Sequence, residues 1–173
     1  ICDLASINTK YDIVLLFTKA YDTRWACELI KPYMCEDGLL IGIQNAITVN
    51  DIVEIVGAER TLGCVVELSS EIFTPGLVQR NTPPEKTWFA IGNIKQGNTL
   101  ERVKEVANIL RNIGKVSISE NIVSAKWMKL VINTMCLGPV ALSGLSSAKA
   151  LELAGMRQMM LKVGTEALSV GQE

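Results

Sequence analysis

Two lysines and an asparagine in one short segment have the side chains needed to bind a carboxylate or a carbonyl oxygen. The spacing over Ser124 to Asn133 predicts a helix, on which Lys126, Lys129 and Asn133 lie at i, i+3 and i+7 and share one face. On spacing alone the ordinary interpretation is favoured, with solvated lysines and a surface asparagine. The opposite face carries an apolar stripe with intervals near 3.6: Val123, Trp127, Leu130, Val131 and Met135.

Lys19 and Asn45 are two further polar residues that follow predicted strands. Residues 12–18 and 39–43 are continuous apolar runs, which are typical of strands buried on both faces of a parallel sheet. Ligands of such sheets bind at the carboxyl ends of the strands, where both residues lie. The local alternative is that Lys19 is solvated at a helix entry and that Asn45 forms a turn.

The elements that position these residues alternate between strand and helix in the first part of the chain. This alternation predicts parallel pairing with right-handed crossovers. Later short strands indicate antiparallel additions at the sheet edge. The predicted strands are 12–18, 39–43, 61–68, 87–92 and 115–118, and the predicted helices between them are 21–34, 48–56 and 98–112.

From Glu120 onward the pattern predicts helices alone, with breaks near Gly138-Pro139 and Ser143-Gly144. We therefore predict an α/β fold, with an incomplete Rossmann-type dinucleotide-binding domain followed by part of an all-helical C-terminal domain. The predicted boundary separates residues 1–119 from residues 120–173. The predicted helices are 120–136, 139–145 and 147–170.

The amino-acid composition limits which partners and which catalytic groups the chain can have. The 173 residues are 49% hydrophobic with a net charge of −1, so no nucleic-acid partner is expected. No apolar run reaches the ~18 residues of a membrane span, so no membrane partner is expected either. Five cysteines without a C-x-x-C pair predict free thiols in a reducing cytoplasm. With no histidine we expect no metal site, and proton chemistry must use Lys, Asp, Glu, Tyr or Cys.

The sequence contains no G-x-G-x-x-G, the phosphate-binding turn that belongs to the first strand and helix of a dinucleotide-binding domain. The chain also starts at Ile1 rather than at a methionine. We therefore expect the first strands of that domain to lie upstream, in a longer protein.

The order of several motifs resembles the ketopantoate reductase family, the NADP-dependent 2-dehydropantoate 2-reductases of pantothenate biosynthesis. The resemblance runs from about residue 10 to residue 150, and W-x-K-L-x-x-N is its most specific element. The matching elements are Thr18 to Tyr21, Gln44-Asn45, Glu67 to Val78, Ile91-Gly92 and Lys126 to Asn133.

The resemblance implies roles for four residues. Lys129 matches the family's catalytic lysine, the proton donor to the keto oxygen, and Asn133 matches a substrate-contacting asparagine. Asn45 matches the active-site asparagine near the nicotinamide, and Lys19 matches the lysine beside the cofactor, which is NADP. The chemistry agrees independently, because a preorganised cation with a transferable proton stabilises and quenches the charge that grows on the oxygen of a reduced 2-keto acid.

Departures from the family pattern leave the substrate open. Ala46 and Leu137 stand where the family has a glycine and a second substrate asparagine, and the family's late acidic residue lies beyond Glu173. We expect the fragment alone to be inactive. The alternatives are a reductase or opine-type dehydrogenase for another 2-keto acid, and a non-catalytic module for oligomerisation or regulation.

The remaining residues receive packing roles. Lys126 has no assigned function and is expected to be solvated, and Cys136 is expected to pack. The apolar residues of the last helix are interpreted as core or dimer contacts, so a homodimer through the helical domain is expected. They are Leu151, Leu153, Met156, Met159, Met160, Leu161, Val163 and Leu168.

Overall fold

The computed structural model describes residues 7–94 and 100–172. A five-stranded sheet in the order β1-β2-β3-β6-β7 is its central layer, and β4 and β5 form a separate hairpin. β1, β2 and β3 are parallel, β6 runs antiparallel to β3, and β7 is parallel to β6. The strands are β1 (Tyr11–Leu16), β2 (Met34–Gly42), β3 (Thr61–Glu67), β4 (Ser70–Thr74), β5 (Leu77–Arg80), β6 (Trp88–Asn93) and β7 (Lys115–Ile118).

Helices cover both faces of the sheet, as the continuous apolar strands require. Successive residues of a strand point to opposite faces. Leu39 and Ile41 accordingly pack with α3 (Leu100–Leu110), whereas Leu40 packs with α1 (Thr23–Ile30) and α2 (Val49–Val56). The predicted alternation is confirmed. The predicted start of α3 at residue 98 lies outside the described residues.

β2 begins earlier than predicted. Residues 34–38, expected to be a helix end and a turn, belong to the strand and form an irregularity against β1, since Tyr11 pairs with Met34 but Ile13 pairs with Leu39. Arg60 stabilises this segment, because its guanidinium donates to the carbonyl oxygens of Cys35 at 2.8 Å and Gly38 at 3.2 Å. Residues 34–38 therefore join the strand with the help of a side chain more than 20 positions away, although their local sequence favours a turn.

The helical segment comprises α4 (Ile122–Ser143), α5 (Ser147–Ala150) and α6 (Met156–Val170). The Asn121 side chain caps α4 by accepting from the Ser124 N–H at 3.0 Å. α4 lies directly on the sheet, where Gly63 and Gly92 leave room: a Cβ on Gly63 would approach the Ile122 side chain to 3.0 Å. Among the described helices, none combines the length and the apolarity needed to cross a lipid bilayer.

Two predicted helix boundaries are wrong. α4 continues through Gly138-Pro139 as one helix, with Pro139 buried inside it, and ends at Gly144 in the left-handed region. Proline removes one backbone donor, yet the helix continues through it. α6 packs along the preceding part of α4, where Gly164 of α6 faces Met135 and the Trp127 indole donates to the Ala167 carbonyl oxygen at 3.3 Å. The predicted helix 147–170 is interrupted between α5 and α6, where Gly155 adopts a positive φ of 80°.

Candidate active site

Two adjoining depressions lie at the carboxyl ends of β1, β2 and β3. The large cleft has a volume of about 420 Å³ and includes both Lys19 and Asn45. The small recess beside it is lined by Asn45 and by Lys129 of α4. The two share Gln44, Asn45, Ala46 and Val66. The other lining residues are Phe17, Thr18, Ala20, Tyr21 and Ile43 in the large cleft and Val65 and Lys126 in the small recess.

Gln44 fixes the loop that carries Asn45. The Gln44 side chain is buried, and its Nε2 donates to the carbonyl oxygen of Thr18 at 3.0 Å and to the hydroxyl of Thr23 at 3.0 Å. Its Oε1 accepts from the Thr48 hydroxyl at 3.0 Å. These contacts tie the loop after β2 to the loop after β1 and to α2. The sequence pattern predicts no separate role for Gln44, although this residue precedes Asn45 in the family motif.

Ala46 adopts a φ of 71° in this loop. This left-handed conformation is the one that glycine adopts without strain, and it costs a residue with a Cβ about 1–2 kcal/mol. The loop therefore keeps a glycine-like backbone despite the alanine. Asn45 itself is exposed at the edge shared by the large cleft and the small recess.

Lys129 reaches the small recess from the second turn of α4. Its side chain is 19% exposed and forms an ion pair with the Glu67 carboxylate at the end of β3. Asn133 lies one turn further along α4, is half-buried, and is not among the residues that line either depression. The structure therefore brings Lys19, Asn45 and Lys129 to one edge of the sheet, with Asn133 further along the helix.

The prediction that Lys126 is solvated is wrong. Its exposed fraction is 3%, and its Nζ donates to the carbonyl oxygens of Gln44 at 2.7 Å and Cys64 at 3.1 Å. Burial lowers the pKa of Lys126 to about 8. Ile122, four positions earlier on the same stripe of α4, is fully buried against the sheet, so Lys126 faces the sheet as well.

The other titratable groups nearby are not arranged for catalysis. Burial raises the pKa of the Cys64 thiol to about 12, which keeps this thiol protonated and unreactive. Cys136 on α4 is half-buried with a free thiol. Within residues 7–94 and 100–172, no three His, Cys, Asp or Glu side chains cluster in a way that could hold a metal ion. The groups available for chemistry around the two depressions are thus ammonium, amide, carboxylate and the hydroxyls of Thr18 and Tyr21.

Structural comparison identifies the same fold in several reductases. The chain superposes on the 2-dehydropantoate 2-reductase from Geobacter metallireducens GS-15 with a TM-score of 0.84 and 24% identity, over 93% of this chain and 53% of that one. It superposes on a ternary structure of D-mandelate dehydrogenase with NADH and anilino(oxo)acetate with a TM-score of 0.86 and 19% identity, over 98% of this chain and 54% of that one. For a dimeric ketopantoate reductase from Staphylococcus aureus, the TM-score is 0.78 and the identity 18%, over 98% of this chain and 55% of that one.

Sequence comparison identifies the family. The chain spans about half the length of these solved structures. A search of curated protein sequences found no match. The family model described as ketopantoate reductase PanE/ApbA matches residues 2–94, which is more than half of the chain and includes Lys19 and Asn45 but not α4. The chain therefore belongs to the ketopantoate reductase PanE/ApbA family.

Proposed function

We propose that this chain is part of an NADPH-dependent reductase that converts 2-dehydropantoate to (R)-pantoate in pantothenate and coenzyme A biosynthesis. One observation carries the proposal: Asn45 from the sheet and Lys129 from α4 line the same recess, next to a cleft that contains Lys19. Family membership supports it, because the family is that of ketopantoate reductases.

The large cleft fits the nicotinamide end of a dinucleotide. Its volume of about 420 Å³ falls within the range of about 300–1,000 Å³ for small-molecule sites. Phe17, Ile43 and Val66 give it an apolar lining, and Lys19 and Asn45 add a cation and an amide. We assign Lys19 and Asn45 to cofactor binding. Bound NADPH supplies the hydride for C2 of the substrate.

Lys129 is proposed as the proton donor. As C2 receives hydride, negative charge grows on the keto oxygen, and an ammonium group held nearby stabilises that charge and then transfers its proton. The ion pair with Glu67 holds Lys129 at the recess before substrate arrives. Asn45 and Asn133 are the proposed substrate contacts, since an amide N–H donates to a carboxylate or keto oxygen.

The same proposal covers organisation and assembly. Residues 1–119 would be the C-terminal portion of an NADP-binding domain, and residues 120–173 the N-terminal portion of a helical domain for substrate binding and dimerisation. Exposed apolar residues on α4 and α6 support a homodimer contact there, among them Leu142 and Leu161. The described cysteines carry free thiols, which agrees with the reducing cytoplasm.

A second candidate is the reduction of a different 2-keto acid. Two observations favour it: Leu137 is apolar and 60% exposed at the position where the family has a substrate asparagine, and the fold matches D-mandelate dehydrogenase, whose ternary structure contains NADH and anilino(oxo)acetate. An apolar side chain near the substrate would accept an aromatic or branched group more readily than a hydroxyl, which an apolar pocket leaves unpaired.

The test is a steady-state assay of the protein produced from its full reading frame. We expect 2-dehydropantoate to be reduced with NADPH at a higher kcat/KM than 2-keto acids with aromatic or branched side chains, measured as loss of the reduced nicotinamide absorbance. The matched comparison repeats each substrate with NADH, because cofactor preference and substrate preference are separate claims.

Each alternative predicts a different outcome of this assay. A higher kcat/KM for an aromatic 2-keto acid would replace the proposed substrate with the second candidate. Absence of hydride transfer with every acid and both cofactors, in a folded protein, would contradict reductase activity and support a non-catalytic module.

A further inference from the structure

Lys126 is buried between α4 and the sheet, where a charged side chain is stable only if specific partners compensate for its lost hydration. Transferring an ammonium group out of water without partners is strongly unfavourable, and a methionine of similar length would fill the same space without that cost. The Lys126 ammonium is instead paired with two carbonyl oxygens, those of Gln44 and Cys64. The pairing connects α4 to two distant points of the chain, since Gln44 lies 82 positions and Cys64 lies 62 positions before Lys126.

The two carbonyl groups lie where the sheet opens. β2 and β3 pair in parallel up to Gly42 and Gly63. Gln44 and Cys64 come just after that point, one in the loop that carries Asn45 and the other in β3. An ammonium group has three N–H donors in a compact head, so it bridges two diverging strand ends in a way that a carbonyl or a hydroxyl cannot.

Lys126 also sits one helical turn before Lys129, and both line the small recess. Residues three apart on a helix are neighbours on its surface. A contact that fixes Lys126 against the Gln44 carbonyl oxygen therefore fixes the start of α4 relative to the residue after Gln44, which is Asn45. The distance between the two halves of the site is set by this anchor.

We propose that Lys126 is a positioning residue of this site: its ammonium group, held between the Gln44 and Cys64 carbonyl oxygens, fixes Lys129 of α4 against the Asn45 loop. Lys126 itself transfers no proton to the substrate. The consequence for activity rests on the function proposed above, whereas the anchoring of the loop does not.

The first arm of the test needs no ligand. Amide hydrogen exchange is measured on the protein from the full reading frame, as wild type and as Lys126→Met, which keeps the side-chain length and removes the ammonium. We expect faster exchange confined to residues 44–48 and 64–67, with α3 unchanged. Ile122→Val is the matched control, because it weakens the same helix–sheet contact without touching either carbonyl oxygen.

The second arm measures kcat and KM with NADPH and 2-dehydropantoate. We expect Lys126→Met to lower kcat by about 10- to 100-fold, the loss associated with a displacement near 1 Å at a catalytic group. Lys126→Arg should recover part of kcat, since its guanidinium can also donate to two carbonyl oxygens. Ile122→Val should lower thermal stability with little change in kcat.

The outcomes separate the two claims. If Lys126→Met leaves exchange at residues 44–48 unchanged, or changes kcat no more than Ile122→Val does, Lys126 is not a positioning residue. Local loosening of the loop in Lys126→Met, found together with a wild-type protein that reduces no 2-keto acid, would support the anchor and overturn the proposed function. Local loosening together with a loss of kcat that Lys126→Arg partly restores supports both.

Discussion

The sheet and the helical segment bury their apolar residues to very different degrees. The largest fully buried side chains belong almost entirely to the sheet and its covering helices, including Phe89, Leu39 and Leu62. Within residues 122–170, Leu142 is 80% exposed and Leu161 is 65% exposed. The sheet thus has a core of its own, whereas the helical segment takes much of its position from contacts with the sheet.

This difference shows how the site is built. The sheet, which has the buried core, supplies Lys19 and Asn45 on two loops that the Gln44 side chain ties together. The less buried half supplies Lys129, so the position of Lys129 depends on the polar contacts at the start of α4, which are the Asn121 cap and the Lys126 ammonium. Stability and site geometry therefore rest on different residues.

The largest expected effect on stability comes from truncating matched leucines in the two halves. Leu62 is fully buried in β3, and Leu62→Ala should destabilise the protein by about 2–5 kcal/mol through lost burial and a residual cavity. Leu161→Ala should change the free energy of unfolding by no more than about 0.5 kcal/mol, as is usual for exposed positions. Chemical denaturation of both variants measures the difference.

An equal loss of unfolding free energy in Leu62→Ala and Leu161→Ala would contradict this difference in burial between the sheet and the helical segment. It would mean that Leu161 is covered in the protein from the full reading frame, either by further helices or by a second copy of the chain. A loss at Leu161 that grows with protein concentration would identify the second copy.

A smaller effect is expected in the pH dependence of stability. Burial lowers the pKa of Lys126 from 10.5 to about 8, so between these values the unfolded state holds a proton that the folded state has released. Stability therefore rises with pH across this window. The shift corresponds to at most about 3 kcal/mol, and below pH 8 both states are protonated and the contribution stops changing.

The measurement compares wild type with Lys126→Met from pH 8 to 10.5. Buried thiols oppose the trend, since burial raises the pKa of Cys27 to about 11 and that of Cys64 to about 12. They are present in both proteins, so the difference between the two curves isolates Lys126 to first order. Lys129 and its ion-pair partner Glu67 are also common to both. A difference that stays flat with pH would contradict the lowered pKa of the buried Lys126 ammonium.

Much of the fold could be predicted from local pattern. Continuous apolar runs identified β1, β2 and β3, and the order of elements predicted the parallel sheet and the antiparallel addition of β6. Long-range partners decided the rest. Arg60 donates hydrogen bonds to the irregular start of β2, and α4 continues through Pro139 with α6 packed against the preceding part of the helix.

The site shows the same limit. Position after a strand was enough to predict that Lys19 and Asn45 share a cleft edge. Spacing on α4 was not enough to show which polar residue faces the sheet, because Lys126 and Lys129 differ by one turn and the orientation of the helix depends on its packing over Gly63 and Gly92, which lie far away in the sequence. Their roles in catalysis and binding stay predictions.

The most direct test of the central claim is the turnover of Lys129→Met in the protein from the full reading frame. Because general acid catalysis contributes about 10²- to 10⁴-fold, we predict a fall in kcat of that size with NADPH and 2-dehydropantoate. Cofactor affinity should be unchanged, since Lys129 lines the small recess rather than the large cleft. Lys104→Met, at an exposed position on α3, should match wild type. A Lys129→Met protein with wild-type kcat would contradict the assignment of the proton donor.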